Sequence, residues 1–145
     1  MRELAKTKCG AGLIGVLAGL LLAAAAQANS GNVQIELNKL KSADNACRAF
    51  LVTQNLTEKR FKQLKLDVVM FNKKGIVAKR LAVGLGPLQP NKTSVKVFDI
   101  DKTHCEDLGQ FLMNGVIACN TENSPVKNCA SLLNVSARGS VSFIE

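Results

Sequence analysis

From residue 29 onward the chain alternates short apolar and polar runs, broken by turn chemistry about every eight to twelve residues, as in a β-sandwich rather than a helical or βαβ fold. Val33, Ile35 and Leu37 alternate with Gln34 and Glu36, predicting a first strand with one wet face. Cys47 to Thr53 reads as a second strand. In Leu64 to Phe71, Leu64, Leu66, Val68 and Met70 share one face, while the other begins with Lys65 and Asp67 and turns apolar at Val69 and Phe71. That pattern predicts a central strand half covered on its second side. Asn72-Lys73-Lys74-Gly75 supplies a tight turn, with Gly75 free to take a positive φ, and Ile76 to Val83 returns as the hairpin partner. Gly84, Gly86, Pro87 and Pro90 mark a loop up to Lys92, and Thr93 to Ile100 is the next strand.

One helical signal interrupts the alternation. Thr103 with Glu106 fits a capping box, and Leu108, Phe111 and Leu112 recur at helical spacing, predicting a short helix from about His104 to Met113, ended by Asn114-Gly115. Val116 to Asn120 and a segment from Leu132 to Ile144, interrupted at Arg138-Gly139, supply the last strands. The expected fold is mostly β: an immunoglobulin-like antiparallel sandwich of about seven strands with one short helix.

The N-terminus changes how this pattern is read. Met1 to Lys8 is basic, Gly10 to Ala26 carries no charge, and Ala26-Gln27-Ala28 places small residues where a signal peptidase cuts. We therefore expect a signal peptide over residues 1–28 and a single sandwich domain over 29–145, periplasmic or secreted. Any membrane attachment would come only from an uncleaved leader. Cys9, Arg2, Lys6, Lys8 and Glu3 leave with the leader, so the net charge falls from +8 to +6 and four cysteines remain. An even set in an exported chain implies two disulfides, with three connectivities open on count alone. Asn55, Asn91 and Asn134 head sequons, chance matches in a bacterium and candidate glycan sites in a eukaryote.

Asn55, Val69-Met70-Phe71-Asn72-Lys73-Lys74-Gly75, Leu88-Gln89-Pro90 and the strand from Thr93 together resemble the FxLYD-type immunoglobulin-like domains of secreted bacterial proteins. The likeness covers about a third of the chain. Phe71-Asn72 replaces the usual Tyr-Asp pair, and the cysteines are no part of that pattern. A looser similarity is to an uncharacterised bacterial exported protein family with the same cysteine framework. Neither resemblance implies an active site. In a sandwich of this type the second strand and the strand from Thr93 are antiparallel neighbours. Cys47, which opens the former, then lies beside Cys105, just past the end of the latter. Cys119 and Cys129 can meet across the loop between them.

Little in the chain points to catalysis. Without a CxxC motif, and with His104 the only histidine, structural disulfides are favoured over a zinc site or a redox pair. His104 and Cys105 are adjacent, which is poor geometry for a nucleophile and its base. Asp99, Asp101, Glu106 and Asp107 form a conceivable calcium cluster, read more simply as a strand end and a first helical turn. Gly84-Leu85-Gly86-Pro87 is no phosphate loop, and Ser131, Ser136, Ser140 and Ser142 lack a nucleophile-elbow setting. We expect no catalytic residue, no metal and no cofactor.

The basic surplus is the one feature that implies a partner. Lys59, Arg60, Lys62 and Lys65 flank one loop, while Lys73, Lys74, Lys79 and Arg80 flank a hairpin. If those two regions adjoin, they form a patch for anionic lipid headgroups or acidic glycans. Nucleic acid is disfavoured, since no Tyr or Trp is present to stack bases. The function expected is a non-enzymatic binding or accessory domain acting by protein–protein interaction at the cell envelope. The alternative is binding of anionic lipid or glycan through the basic loops, and a hydrolase or calcium-binding module is a minor third.

Overall fold

The computed structural model describes residues 32–145, so the leader and its cleavage after Ala28 lie outside the described residues. Eight strands form two four-stranded sheets. In chain order they are β1 (Val33–Ala43), β2 (Ala46–Asn55), β3 (Phe61–Asn72), β4 (Val77–Gly84), β5 (Lys92–Asp101), β6 (Leu108–Thr121), β7 (Leu133–Ala137) and β8 (Ser142–Ile144). The first sheet has the order β5-β2-β1-β7 and the second β4-β3-β6-β8. Both turn their alternate apolar residues into one shared core, which includes Ile35 and Leu51 from the first sheet and Leu66, Met70 and Phe111 from the second.

The expected short helix is not formed. Cys105–Asp107 makes a single 3₁₀ turn, and Leu108–Thr121 is one continuous strand that absorbs the separate Val116 to Asn120 strand. The helical spacing has a β explanation. Phe71 pairs with Gln110 but Asn72 pairs with Leu108, so Gly109 is an extra residue, and Leu108 and Phe111 reach the same core face three positions apart. The capping box is also absent: the Thr103 hydroxyl donates to the Asp101 carbonyl instead. In β1 a second irregularity at Asn38 puts Leu37 and Leu40 on one side in the same way.

The final segment divides at Arg138-Gly139, where Gly139 takes a φ of 139°. β7 pairs in parallel with β1 in one sheet, and β8 pairs in parallel with β6 in the other. One run of chain thus laces the two sheets together, and Phe143 packs edge-on against Phe111 at 6.1 Å. This switch raises the strand number from about seven to eight.

Cys47 is bonded to Cys105 and Cys119 to Cys129. The first bridge ties the buried start of β2 to the turn that follows its neighbour β5. The second ties β6 to a 3₁₀ turn (Cys129–Leu132) leading into β7.

Candidate functional site

β5 is the edge of the first sheet, and it pairs with β2 over its full length without a bulge. No proline interrupts it. Its C-terminal end is anchored by Ile100, which is buried beside Cys47. From Lys92 to Val97, however, every residue is exposed, on the core-facing as well as the outer side. The free side of β5 is therefore a straight row of backbone donors and acceptors, the feature to which another extended chain adds.

The two faces of this edge differ in chemistry. On the outer face Val95 and Val97 are 61% and 43% exposed, and their cross-strand neighbours Val52 and Phe50 are half-buried, giving a four-residue apolar patch. Arg48 bounds it, donating from Nε and one Nη to the Asp99 carboxylate at 2.7 and 2.8 Å. Those bonds hold the Asp99 carboxyl below its ordinary range. On the core-facing side Lys92, Ser94 and Lys96 lie opposite Asn55, Thr53 and Leu51. Lys79 of β4, on the core-facing side of the other sheet, donates from Nζ to the Asp101 carbonyl at 3.1 Å, closing the gap between the two edge strands at that end.

The candidate basic residues do not form one patch. Lys59, Arg60 and Lys62 lie at the start of β3, while Lys73 and Lys74 follow its end; twelve extended residues at about 3.3 Å each put these groups on the order of 35 Å apart. Arg60 and Lys62 approach Glu122 at 3.6 and 3.9 Å. Arg80 is occupied by Asp67, and Lys79 by the Asp101 carbonyl. Lys73 and Lys74, which make no ion pair among the described residues, join Lys102 and His104 along an open groove of about 610 Å³ whose walls include Ile76 and Asp107. Lys102 and His104 belong to this groove although the run of basic residues around the hairpin does not include them.

The acidic residues do not converge either. Asp99 is committed to Arg48, and among the described residues no three His, Cys, Asp or Glu side chains come together in a way that would hold a metal ion. His104 is exposed beside a cysteine already consumed in a disulfide. Of the sequons, Asn55 is fully buried with its amide engaged in hydrogen bonds, and Asn91 donates to Glu58.

Asp67 has a structural role. It accepts bonds from Arg80 at 2.8 and 2.7 Å and from the Asn114 amide, joining β4 and β6 through β3. The Arg80 bonds first, and then the Asn114 bond, pull its pKa from 3.8 down to about 2 against the opposing effect of burial. The folded chain thus releases this proton more readily than the unfolded one. The associated stability is present above the ordinary carboxyl value and is lost as pH falls through about 2. Melting curves of the wild type should drop more steeply between about pH 4 and about pH 2 than those of Asp67→Asn. Parallel curves would mean that the pairing with the exposed Arg80 contributes nothing.

No family model and no curated protein matches this sequence. Among solved structures, the chain is similar in fold to IrmA from Escherichia coli, with a TM-score of 0.52 and 12% sequence identity over 72% of this chain and 91% of that one. At that identity the likeness establishes a shared fold and nothing about activity.

Proposed function

We propose that this chain is an exported, non-enzymatic binding domain of the immunoglobulin-like class that acts by protein–protein contact at the cell envelope, with β5 as the edge it offers. The observation that carries this reading is the unbroken free edge from Lys92 to Val97 beside the Val95, Val97, Val52 and Phe50 patch. The strand order supports the class: β5, β2 and β1 make one sheet, β4, β3 and β6 the other, and the last segment is divided between them. Two disulfides are compatible with export, and the leader read from residues 1–28 supplies the route.

Placing a photo-crosslinking residue at Val97, and in a second variant at Ile117, tests this in cells. Ile117 is 54% exposed on β6 of the opposite sheet and serves as the control. A discrete protein adduct should form from position 97 and not from 117, and it should disappear when Val95→Asp is added. Absence of an adduct from position 97 overturns the reading.

The groove beside the hairpin favours a second reading. Lys73, Lys74 and Lys102 there present three cations that would attract an anionic lipid headgroup or acidic glycan. Retention on anionic vesicles that is lost at high salt, and lost with Lys73→Glu and Lys74→Glu, would support it.

A further inference from the structure

We infer that the strand completing the β5 edge is an extended acidic segment, with carboxylates at alternate positions and β-branched or aromatic side chains between them. This inference rests on the edge reading above and adds the chemistry of the partner. Even-numbered residues of β5 face the core side, as buried Ile100 shows, and odd-numbered residues face outward. The exposed part of the core side therefore presents Lys92 and Lys96 four residues apart, with Ser94 between them. Neither lysine has an acidic partner among the described residues. The outer side presents Val95 and Val97 as a continuation of the Val52 and Phe50 row.

A strand added here must match both faces at once. A lysine that faces the core side of an edge strand repels an apolar or basic newcomer, which is how edges are kept from indiscriminate pairing. A second copy of this chain does not solve the problem. Paired antiparallel, its own β5 would bring another Lys92 and Lys96 to the same side, while Asp99 and Asp101 lie on the outer face. A segment with Asp or Glu at every second position neutralises Lys92 and Lys96 and leaves its intervening side chains to cover Val95 and Val97. The edge thus selects its partner through the charge of one face and the apolar character of the other.

Synthetic peptides as long as β5 test this on the folded protein, read by amide chemical shifts and fluorescence anisotropy. The alternating Val–Glu peptide should bind and shift amides within Lys92 to Val97, leaving those of Lys73 and Lys74 unmoved. A peptide of the same composition with its Glu and Val residues in separate blocks should bind about ten-fold more weakly, because it cannot place its acids on one face. Lys96→Glu, at an exposed position, should weaken the alternating peptide about ten-fold and make a Val–Lys peptide the better ligand. An alternating Val–Ser peptide that binds β5 equally well, with no effect of Lys96→Glu, would retain the edge and overturn the acidic partner. Binding that maps to the hairpin groove, or none at all, would overturn both. A dimer by sedimentation with β5 amides protected and peptides excluded would make a second copy the occupant and overturn the inference.

Discussion

Replacing Cys47 and Cys105 together with alanine is expected to lower the unfolding free energy by about 4 kcal/mol, a large share of the roughly 5 to 15 kcal/mol that holds a domain this size folded. The bridge closes a separation of 58 residues that contains all of β3, β4 and β5. Opening it returns that loop's entropy to the unfolded chain, and the loss of sulfur atoms from a fully buried position beside Ile100 adds a small packing defect. The paired replacement of Cys119 and Cys129, which closes a separation of only 10, should cost about 3 kcal/mol. Urea unfolding of the two double variants under identical conditions separates them. If the short bridge proves the more costly, loop entropy is not what these disulfides contribute. The larger loss also has a local consequence: Ile100 sits opposite Cys47, so the anchor of β5 loosens with the bridge and the free edge should exchange its amide hydrogens faster.

How far this molecule can be read from its residues depends on whether each strand keeps its period of two. From Lys65 to Met70 the hairpin of β3 and β4 does so, with Ala78 as an extra residue only beside the turn, and its turn chemistry is visible. The Asn72 side chain accepts from the Lys74 and Ile76 amides at 2.9 and 3.0 Å while Gly75 takes a φ of 75°. Where a bulge adds a residue, the period fails. Leu108 and Phe111 then look helical, and only the register against β3 reveals Gly109 as the insertion. The division of the last segment between the two sheets is likewise a tertiary event, marked in the chain only by Arg138-Gly139.

The exposed edge at β5 is half legible in the sequence. Val95-Lys96-Val97 shows the alternation of a strand with a charged position, but which strand lies at an edge is settled by sheet order, which no local pattern encodes. The basic residues failed as a single patch for the opposite reason. They cluster in sequence at both ends of β3, and an extended strand is the conformation that separates its ends most. Lys102 and His104 reach the hairpin groove from a different connection, a proximity that arises only once the loop after β5 packs beside the turn after β3.

Asn55→Asp, nearly identical in shape, should destabilise the protein by about 3 to 5 kcal/mol at neutral pH, and by clearly less in acid. Asn55 ends β2, and no part of it is exposed. Its Nδ2 donates to the carbonyls of Lys59 and Gln89 at 2.8 and 3.0 Å, while its Oδ1 accepts from the Thr57 amide and hydroxyl at 3.1 and 2.7 Å. One side chain thus fixes both the turn into β3 and the proline-bearing loop into β5. The substitution keeps the acceptor but turns a second oxygen, carrying charge, toward two carbonyl oxygens in a site without water access. Those carbonyls lose their donor, and the new carboxylate is fully buried against them. The folded state therefore favours the protonated form, raising the introduced group's pKa above the value of about 3.9 it has in an unfolded chain. With the folded value raised, the neutral form's stability is fully present below the unfolded value and is lost as pH climbs toward the folded one. Comparing denaturant midpoints of variant and wild type at about pH 3.5 and at neutrality isolates this effect from the acid response of Asp67, which both proteins share. A gap of the same size at both pH values would show that water reaches the site and that the buried amide is not what holds the two loops together.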